Sequence, residues 1–221
     1  MSQGRYSMED EIDRALNCRG AAAELPSAIN EMTVAAWDAL IAAGRAAIQA
    51  AEEQEDDADV AAALMHNKVD EPNANCQSIR AIAKAQFKRS NAVVAGQFDC
   101  TPASAKAPED VLSRAVAVNA AWSHVPTPDT WEPIPALTRA AFAAKLAEVE
   151  TLVKTAVEKE KTASLAAALR LEKSAEIHDA NVAWYAVAKN SFPPGSPERT
   201  MIEGTVTHHQ TEPGPQLPDV S

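Results

Sequence analysis

Four side chains that could do chemistry fall within twelve residues near the end of the chain: His178, Trp184, Tyr185 and Lys189. A histidine can move a proton near neutral pH, and lysine and tyrosine can hold a polar ligand beside aromatic rings. These four residues could therefore line a small-molecule pocket. In a chain rich in alanine, large aromatic residues also fill the space that small side chains leave open, and the composition favours that use.

The spacing of the possible metal ligands does not indicate a metal site. A di-metal centre in a helical bundle needs Glu-x-x-His motifs, whereas the acids near His178 lie two residues before it and directly after it. The pair His208 and His209, with Glu212 close by in the sequence, could bind zinc or nickel weakly, but no further ligand is fixed beside them. We expect no metal and no cofactor.

The motifs of known enzyme classes are also missing. The sequence contains no Gly-x-Ser-x-Gly, no glycine-rich phosphate loop and no Cys-x-x-Cys. The three cysteines, Cys18, Cys76 and Cys100, are odd in number, so we expect ordinary reduced thiols. These observations favour a protein without catalytic residues over an enzyme.

The charge of the chain argues against nucleic acid as a partner. The net charge is −11, and residues 1–72 carry 15 acidic and 5 basic residues. An acidic surface repels phosphate, and no basic stripe is interleaved with aromatic residues.

No apolar run approaches the roughly 20 residues that span a bilayer, and the first residues are acidic rather than typical of a signal peptide. We expect a cytoplasmic protein without a membrane span.

Composition predicts that helices position these residues. Of 221 residues 47 are alanine, the best helix former, while only seven are glycine and 5% are aromatic. The fold class expected is therefore all-α.

A repeat organises these helices. Residues 33–87 align without a gap onto residues 138–192, at an offset of 105, with 19 identical positions of 55. More than half of the identities are alanine pairs, but unlike bulky residues also align, such as Trp37 with Phe142. One repeated unit of this kind buries its apolar face against its twin. We predict two tandem helical hairpins that form a pseudo-twofold four-helix bundle with accessory helices.

The position of the turn within each hairpin has two interpretations. Asp57 and Thr162 occupy the same repeat position and can each cap a second helix, which favours turns near 56–59 and 161–164. The alternative starts the second helices near Asp70 and Ser174, which would place Pro72 in the first turn of a helix.

The remaining segments complete the expected domain organisation. An accessory helix begins at Ser7 and ends at Gly20, and a further helix covers 108–122 with an apolar face towards the bundle. The expected segments are an N-terminal accessory helix (1–24), the first hairpin (25–98), a Pro-rich connector with one helix (99–132), the second hairpin (133–192) and a Pro-rich extended tail (193–221).

The stretch NVAWYAVAKNSFPPGSPERTMIEGTV, residues 181–206, resembles the end of the helical unit in a loose set of uncharacterised bacterial alanine-rich helical-hairpin repeat proteins. In those proteins a last helix runs into a proline-containing turn, a short Arg-containing helix and an extended proline-rich tail. The resemblance implies a helical bundle and carries over no activity and no functional residue.

Two functions follow as expectations. The duplication, the alanine-rich helix faces and the missing motifs favour a non-enzymatic helical scaffold or protein–protein interaction module that binds a protein partner or a second copy of itself as a homo-oligomer. The alternative is a small-molecule-binding protein or enzyme with a site between the two hairpins, near His178, Trp184, Tyr185 and Lys189.

Overall fold

The computed structural model describes residues 7–99 and 107–206, and these residues contain helices and no strand. The all-α class is therefore confirmed. In chain order the helices are α1 (Met8–Glu24), α2 (Val34–Phe87), α3 (Ala92–Gln97), α4 (Pro108–Trp122), α5 (Arg139–Ser191) and α6 (Pro197–Glu203).

The chain divides into two compact units, and each contains parts of both long helices. Unit 1 comprises residues 1–52 and 165–221, and unit 2 comprises residues 53–164. Unit 1 thus holds α1, the start of α2, the end of α5 and α6. Unit 2 holds the rest of α2, then α3, α4 and the start of α5.

The long helices run straight through the positions where turns were expected. Neither 56–59 nor 161–164 interrupts a helix, and the alternative starts near Asp70 and Ser174 also lie inside α2 and α5. The prediction of two tandem hairpins, and with it the four-helix bundle made from them, is wrong. Each repeat supplies one helix of more than fifty residues instead.

The proposed capping residues act differently from the prediction. Thr162 donates its hydroxyl to the carbonyl oxygen of Glu158 at 2.9 Å, which is a bond back into its own helix. Asp57 pairs with Lys159 of α5 at 2.7 Å. The capping preference does not end either helix at these positions. The sequence has no glycine between positions 44 and 96 or between 96 and 195, and alanine-rich helix continues there at little cost in free energy.

Helix ends are better predicted where a cap and a break coincide. Ser7 and Asp10 form the expected capping box at the start of α1, although Gly20 does not end that helix, which continues to Glu24. The helix at 108–122 has the bounds that the sequence predicts. The segment assigned to an extended tail contains α6, and Ile202 of α6 is fully buried.

The core of unit 1 forms around two tryptophans. Trp37 of α2 and Trp184 of α5 meet edge to face, with their ring centroids 6.1 Å apart. Gly44 allows close packing beside them, because a Cβ atom there would lie 2.6 Å from Cδ1 of Ile177 and 3.3 Å from Cδ1 of Ile12. Helices α1, α2 and α5 therefore approach one another at a position that only glycine fits without rearrangement.

The core of unit 2 contains two apolar clusters. In the first, Trp122 of α4 packs on Phe142 of α5 with ring centroids 5.9 Å apart, and Trp131 packs edge to face on Trp122 at 5.4 Å. The second joins α2, α4 and α5 and contains Ala61, Met65, Val69, Val111, Val149, Val153 and Ala156. Within unit 2 the two long helices run antiparallel, as the Lys68–Glu148 and Asp57–Lys159 pairs show.

Within residues 7–99 and 107–206 no helix combines the length and apolar character that crossing a membrane requires. Cys100 and the possible zinc ligands His208, His209 and Glu212 lie outside the described residues.

Candidate functional site

A buried carboxylate lies at the centre of the polar contacts of unit 1. The capping box at Ser7 sets the start of α1, so Glu11 falls on the same inward face as Met8, Ile12 and Ala15. Glu11 is 3% exposed. A buried carboxylate needs hydrogen-bond donors around it, because its desolvation is otherwise costly.

Helix α5 supplies those donors. The ring Nδ1 of His178 lies 2.7 Å from Oε1 of Glu11. The side-chain amide of Asn181 donates both to Oε2 and to the backbone carbonyl of Glu11, each at 2.9 Å. Both carboxylate oxygens are thus occupied, and three hydrogen bonds join α1 to α5.

The arrangement resembles half of an acid–base site. An ionised carboxylate only accepts hydrogen bonds, so with Glu11 ionised the donor of the 2.7 Å contact is Nδ1 of His178. Nε2 is then the ring nitrogen that Glu11 does not contact, and 45% of the His178 side chain is exposed. An imidazole oriented in this way could act as a general base if a nucleophile or substrate lay beside it.

A nucleophile is not supplied by the nearest thiol. Cys18 lies two turns beyond Glu11 on the inward face of α1 and is fully buried. Burial raises the pKa of the Cys18 thiol to about 11, and the hydroxyl of Thr205 and the charge of Arg14 offset only part of that increase. The thiol is therefore protonated at neutral pH and weakly nucleophilic.

The four residues proposed for a ligand pocket all lie on the unit 1 part of α5, in different surroundings. Trp184 is fully buried against Trp37, which is the core use that the composition favours. Tyr185 packs at the edge of the same core, and Nζ of Lys189 lies 5.7 Å from the centre of its ring. Lys189 also faces Glu203 of α6 at 3.6 Å. Their role in binding a ligand stays a prediction.

Sequence reasoning missed the two residues that organise this cluster, Glu11 and Asn181. Each carried a signal. Glu11 is a charged residue on a helix face of apolar residues spaced three and four apart, and Asn181 lies between Ile177 and Trp184 with the same spacing. The pairing itself was not predictable, because 170 residues separate Glu11 from Asn181.

The surface also carries large apolar side chains at one repeated position of the two long helices. Val60 and Leu64 of α2, in unit 2, are 60% and 51% exposed, and Leu165 and Leu169 of α5, in unit 1, are 63% and 46% exposed. The second pair follows the first at the repeat offset of 105. Large apolar side chains on a helix surface at this spacing are typical of a face that docks another helix.

Comparison with known proteins does not assign this chain to a family. No protein-family model, no curated protein and no solved structure matches it. The resemblance to bacterial alanine-rich helical-hairpin repeat proteins therefore stays a prediction. Among the described residues, no group of three or more histidine, cysteine, aspartate or glutamate side chains is placed to hold a metal ion.

Proposed function

We propose that the protein is a non-enzymatic helical scaffold that binds other helices, from a protein partner or from a second copy of the chain, through exposed apolar faces of α2 and α5. The observation that carries the proposal is the recurrence of an exposed apolar pair at the same repeat position in both copies. Val60 and Leu64 occupy it in the first copy, and Leu165 and Leu169 in the second. Neither pair belongs to a buried core cluster.

The packing of α5 in unit 1 supports the same function. No residue from 165 to 176 is buried, although this stretch carries three leucines, and Leu171 is 64% exposed. The stability of a helix in a protein comes chiefly from packing of its apolar face. A partner helix laid on this stretch would remove exposed leucine side chains from water, which stabilises a complex by about 25 cal/mol per Å² of apolar surface buried.

The alternative function, a small-molecule-binding protein or enzyme, has less support. Its strongest element is the imidazole of His178, oriented by Glu11. Against it, Trp184 is used in the core, and the thiol of Cys18, which lies beside the cluster, is held protonated by burial.

The experiment that tests the scaffold proposal has two parts. The mass of the protein is measured by light scattering after size exclusion, over a wide concentration range, for the wild type and for the Leu64→Gln and Leu169→Gln variants. A photocrosslinking amino acid is then placed at position 64, at 169 and, as a control, at Val93, which is 75% exposed in α3.

We expect either a concentration-dependent mass that the glutamine variants reduce, or crosslinks to one identified protein from 64 or 169 that are absent from 93. Binding of that protein must then be reproduced with purified components. A monomer at every concentration, with no adduct specific to 64 or 169, would contradict the proposal.

A further inference from the structure

The face of α2 that carries Val60 and Leu64 is turned away from the core of unit 2. On the same stretch of helix Ala61, Met65 and Val69 are buried in the second core cluster of that unit. Val60 and Leu64 lie one turn apart and are exposed, with the exposed side chains of Ala63 and Asn67 beside them. We call Val60, Ala63, Leu64 and Asn67 the α2 outer face.

Acidic residues precede the α2 outer face along the helix. From 53 to 59 the chain reads EQEDDAD, so five of seven residues are acidic, and Asp56 and Asp59 are exposed immediately before Val60. Three lysines of this part of unit 2 pair with acids: Lys68 with Glu148, Lys154 with Glu150 and Lys159 with Asp57. The field over this face is therefore negative, and it favours a positively charged partner.

The sign of this charge distinguishes between the two possible occupants. A second copy of the chain, docked in parallel through the same face, would bring one acidic segment against another, and an antiparallel copy would bring that segment against Asp70 and Glu71, so that both arrangements cost free energy. A helix with lysine or arginine beside its apolar stripe would instead place opposite charges together. Apolar residues spaced three and four apart on that helix would cover Val60 and Leu64.

We propose that the α2 outer face binds a basic amphipathic helix of a partner protein, with the apolar stripe of that helix on Val60 and Leu64 and its basic flank beside Asp56 and Asp59. This inference rests on the proposed scaffold function and names the partner class for one of its two faces. The segment of α5 equivalent to 53–59 is 158–164, which reads EKEKTAS and carries two acidic and two basic residues, so the equivalent face of α5 does not select a basic partner in this way.

The test uses three fluorescein-labelled synthetic helices of about 18 residues, or five turns. One has a leucine and alanine stripe flanked by lysine, the second has the same stripe flanked by glutamate, and the third has it flanked by glutamine. Fluorescence anisotropy measures their binding to the full chain at about 0.05 to 0.5 M salt, a range over which the screening length falls severalfold.

Four forms of the chain are compared: the wild type, Val60→Gln/Leu64→Gln, Asp56→Asn/Asp59→Asn and the control Val93→Gln. Val93 is an exposed apolar residue of the same unit that lies on a different helix. All substituted positions are exposed, and thermal melts of each variant verify that the fold is kept.

We expect the lysine helix to bind the wild type and the Val93→Gln control equally, and the Val60→Gln/Leu64→Gln variant about tenfold more weakly. The Asp56→Asn/Asp59→Asn variant should lose severalfold in affinity and most of the salt dependence. Unchanged binding by either double variant would overturn the inference.

The three helices separate this inference from the scaffold function. If the glutamate or glutamine helix binds the α2 outer face as tightly as the lysine helix, the basic partner class is wrong and the docking function stands. If no helix binds and no crosslink forms from position 64, both the inference and the role of this face in the proposed function fail.

Discussion

Unit 1 and unit 2 pack a short helix in the same way but place opposite charges at one buried position. Five of the six buried residues in each short helix recur with equal spacing: Met8, Glu11, Ile12, Ala15 and Cys18 in α1, and Val111, Arg114, Ala115, Val118 and Ala121 in α4. Glu11 of unit 1 therefore corresponds to Arg114 of unit 2. The apolar pattern is shared by the two units, whereas the buried polar residue differs.

The partners of that position differ as well. Asn181, which binds Glu11 in unit 1, has Cys76 as its repeat equivalent in unit 2, and His178 has Asn73. In unit 1 the polar contacts thus favour α1, which carries Glu11 at this position, over α4, which carries Arg114. A buried polar group can select one packing arrangement over its alternatives even where an apolar one would be as stable.

A second difference is one of size. Gly44 in unit 1 corresponds to Val149 in unit 2, and Ile177, which fills the space over Gly44, corresponds to Pro72. Unit 1 therefore has the smaller residue at the first of these two repeat positions and the larger residue at the second. The two cores reach close packing through different residues at equivalent positions.

The largest loss of stability is expected when a core side chain is truncated at one repeat position in each unit. Trp184→Ala removes the ring that packs on Trp37 in unit 1, and Ile79→Ala removes its fully buried equivalent in unit 2. Losses of about 3–5 kcal/mol for the tryptophan and about 2–5 kcal/mol for the isoleucine are expected from the lost burial and the cavity. Chemical denaturation measures both, and a loss under about 1 kcal/mol at either site would show that its core adapts freely.

The buried side chain of Glu11 should give the next largest effect on the free energy of unfolding. Glu11→Ala leaves the side-chain amide of Asn181 without its carboxylate acceptor, so we expect a loss of about 1–3 kcal/mol in unfolding free energy. Glu11→Gln keeps one acceptor oxygen and should lose less. Asp13→Ala, an exposed acid on the same helix, is the matched control and should change stability by under about 0.5 kcal/mol.

If Asp13→Ala proves as costly as Glu11→Ala, the effect comes from the α1 helix in general and not from the buried network. If Glu11→Gln is as costly as Glu11→Ala, the negative charge itself is required, and unit 1 depends on it more than hydrogen bonding alone explains.

The size difference at Gly44 predicts a smaller loss of stability, which a second substitution should partly reverse. Gly44→Ala places a Cβ atom against Cδ1 of Ile177, and the strain of overpacking outweighs the better helix propensity of alanine, so we expect a net loss of about 1 kcal/mol. Adding Ile177→Val removes the contacting methyl group, so the double variant should be more stable than the two single changes predict together.

Gly20→Ala is the control for this pair. It lies inside α1, and a Cβ atom there would have no neighbour within 4 Å. We expect it to stabilise the protein by up to about 1 kcal/mol, through helix propensity alone. Additive effects of Gly44→Ala and Ile177→Val would contradict the close approach at Gly44.

How much was predictable depends on the range of the interaction. The helix at 108–122 and the capping box at Ser7 follow from neighbouring residues, and both were predicted. The uninterrupted helices were not, because the capping preference at Asp57 and Thr162 gave way to helix propensity and to contacts such as the Asp57–Lys159 pair. Within the candidate site His178 was named from its type, but its partner Glu11 lies on another helix 167 residues away.

The smallest effect concerns Cys18, whose equivalent in unit 2 is Ala121. In the folded chain burial raises the pKa of the Cys18 thiol from 9.0 to about 11. Between these values the unfolded chain has lost the thiol proton and the folded chain has kept it, so unfolding becomes easier. The stability that depends on the neutral thiol is complete below pH 9 and is lost as the pH rises through about 11.

Cys18→Ala gives unit 1 the residue of unit 2 and removes this dependence on pH. Near neutral pH the variant should be less stable by about 1 kcal/mol, because the buried sulfur is lost. Towards pH 11 the difference from the wild type should shrink, because only the wild type continues to lose stability through this thiol. Denaturant titrations of both proteins at about pH 8 and about pH 10.5 measure the change, and curves that stay parallel would mean that the Cys18 thiol ionises as easily in the folded chain as in the unfolded one.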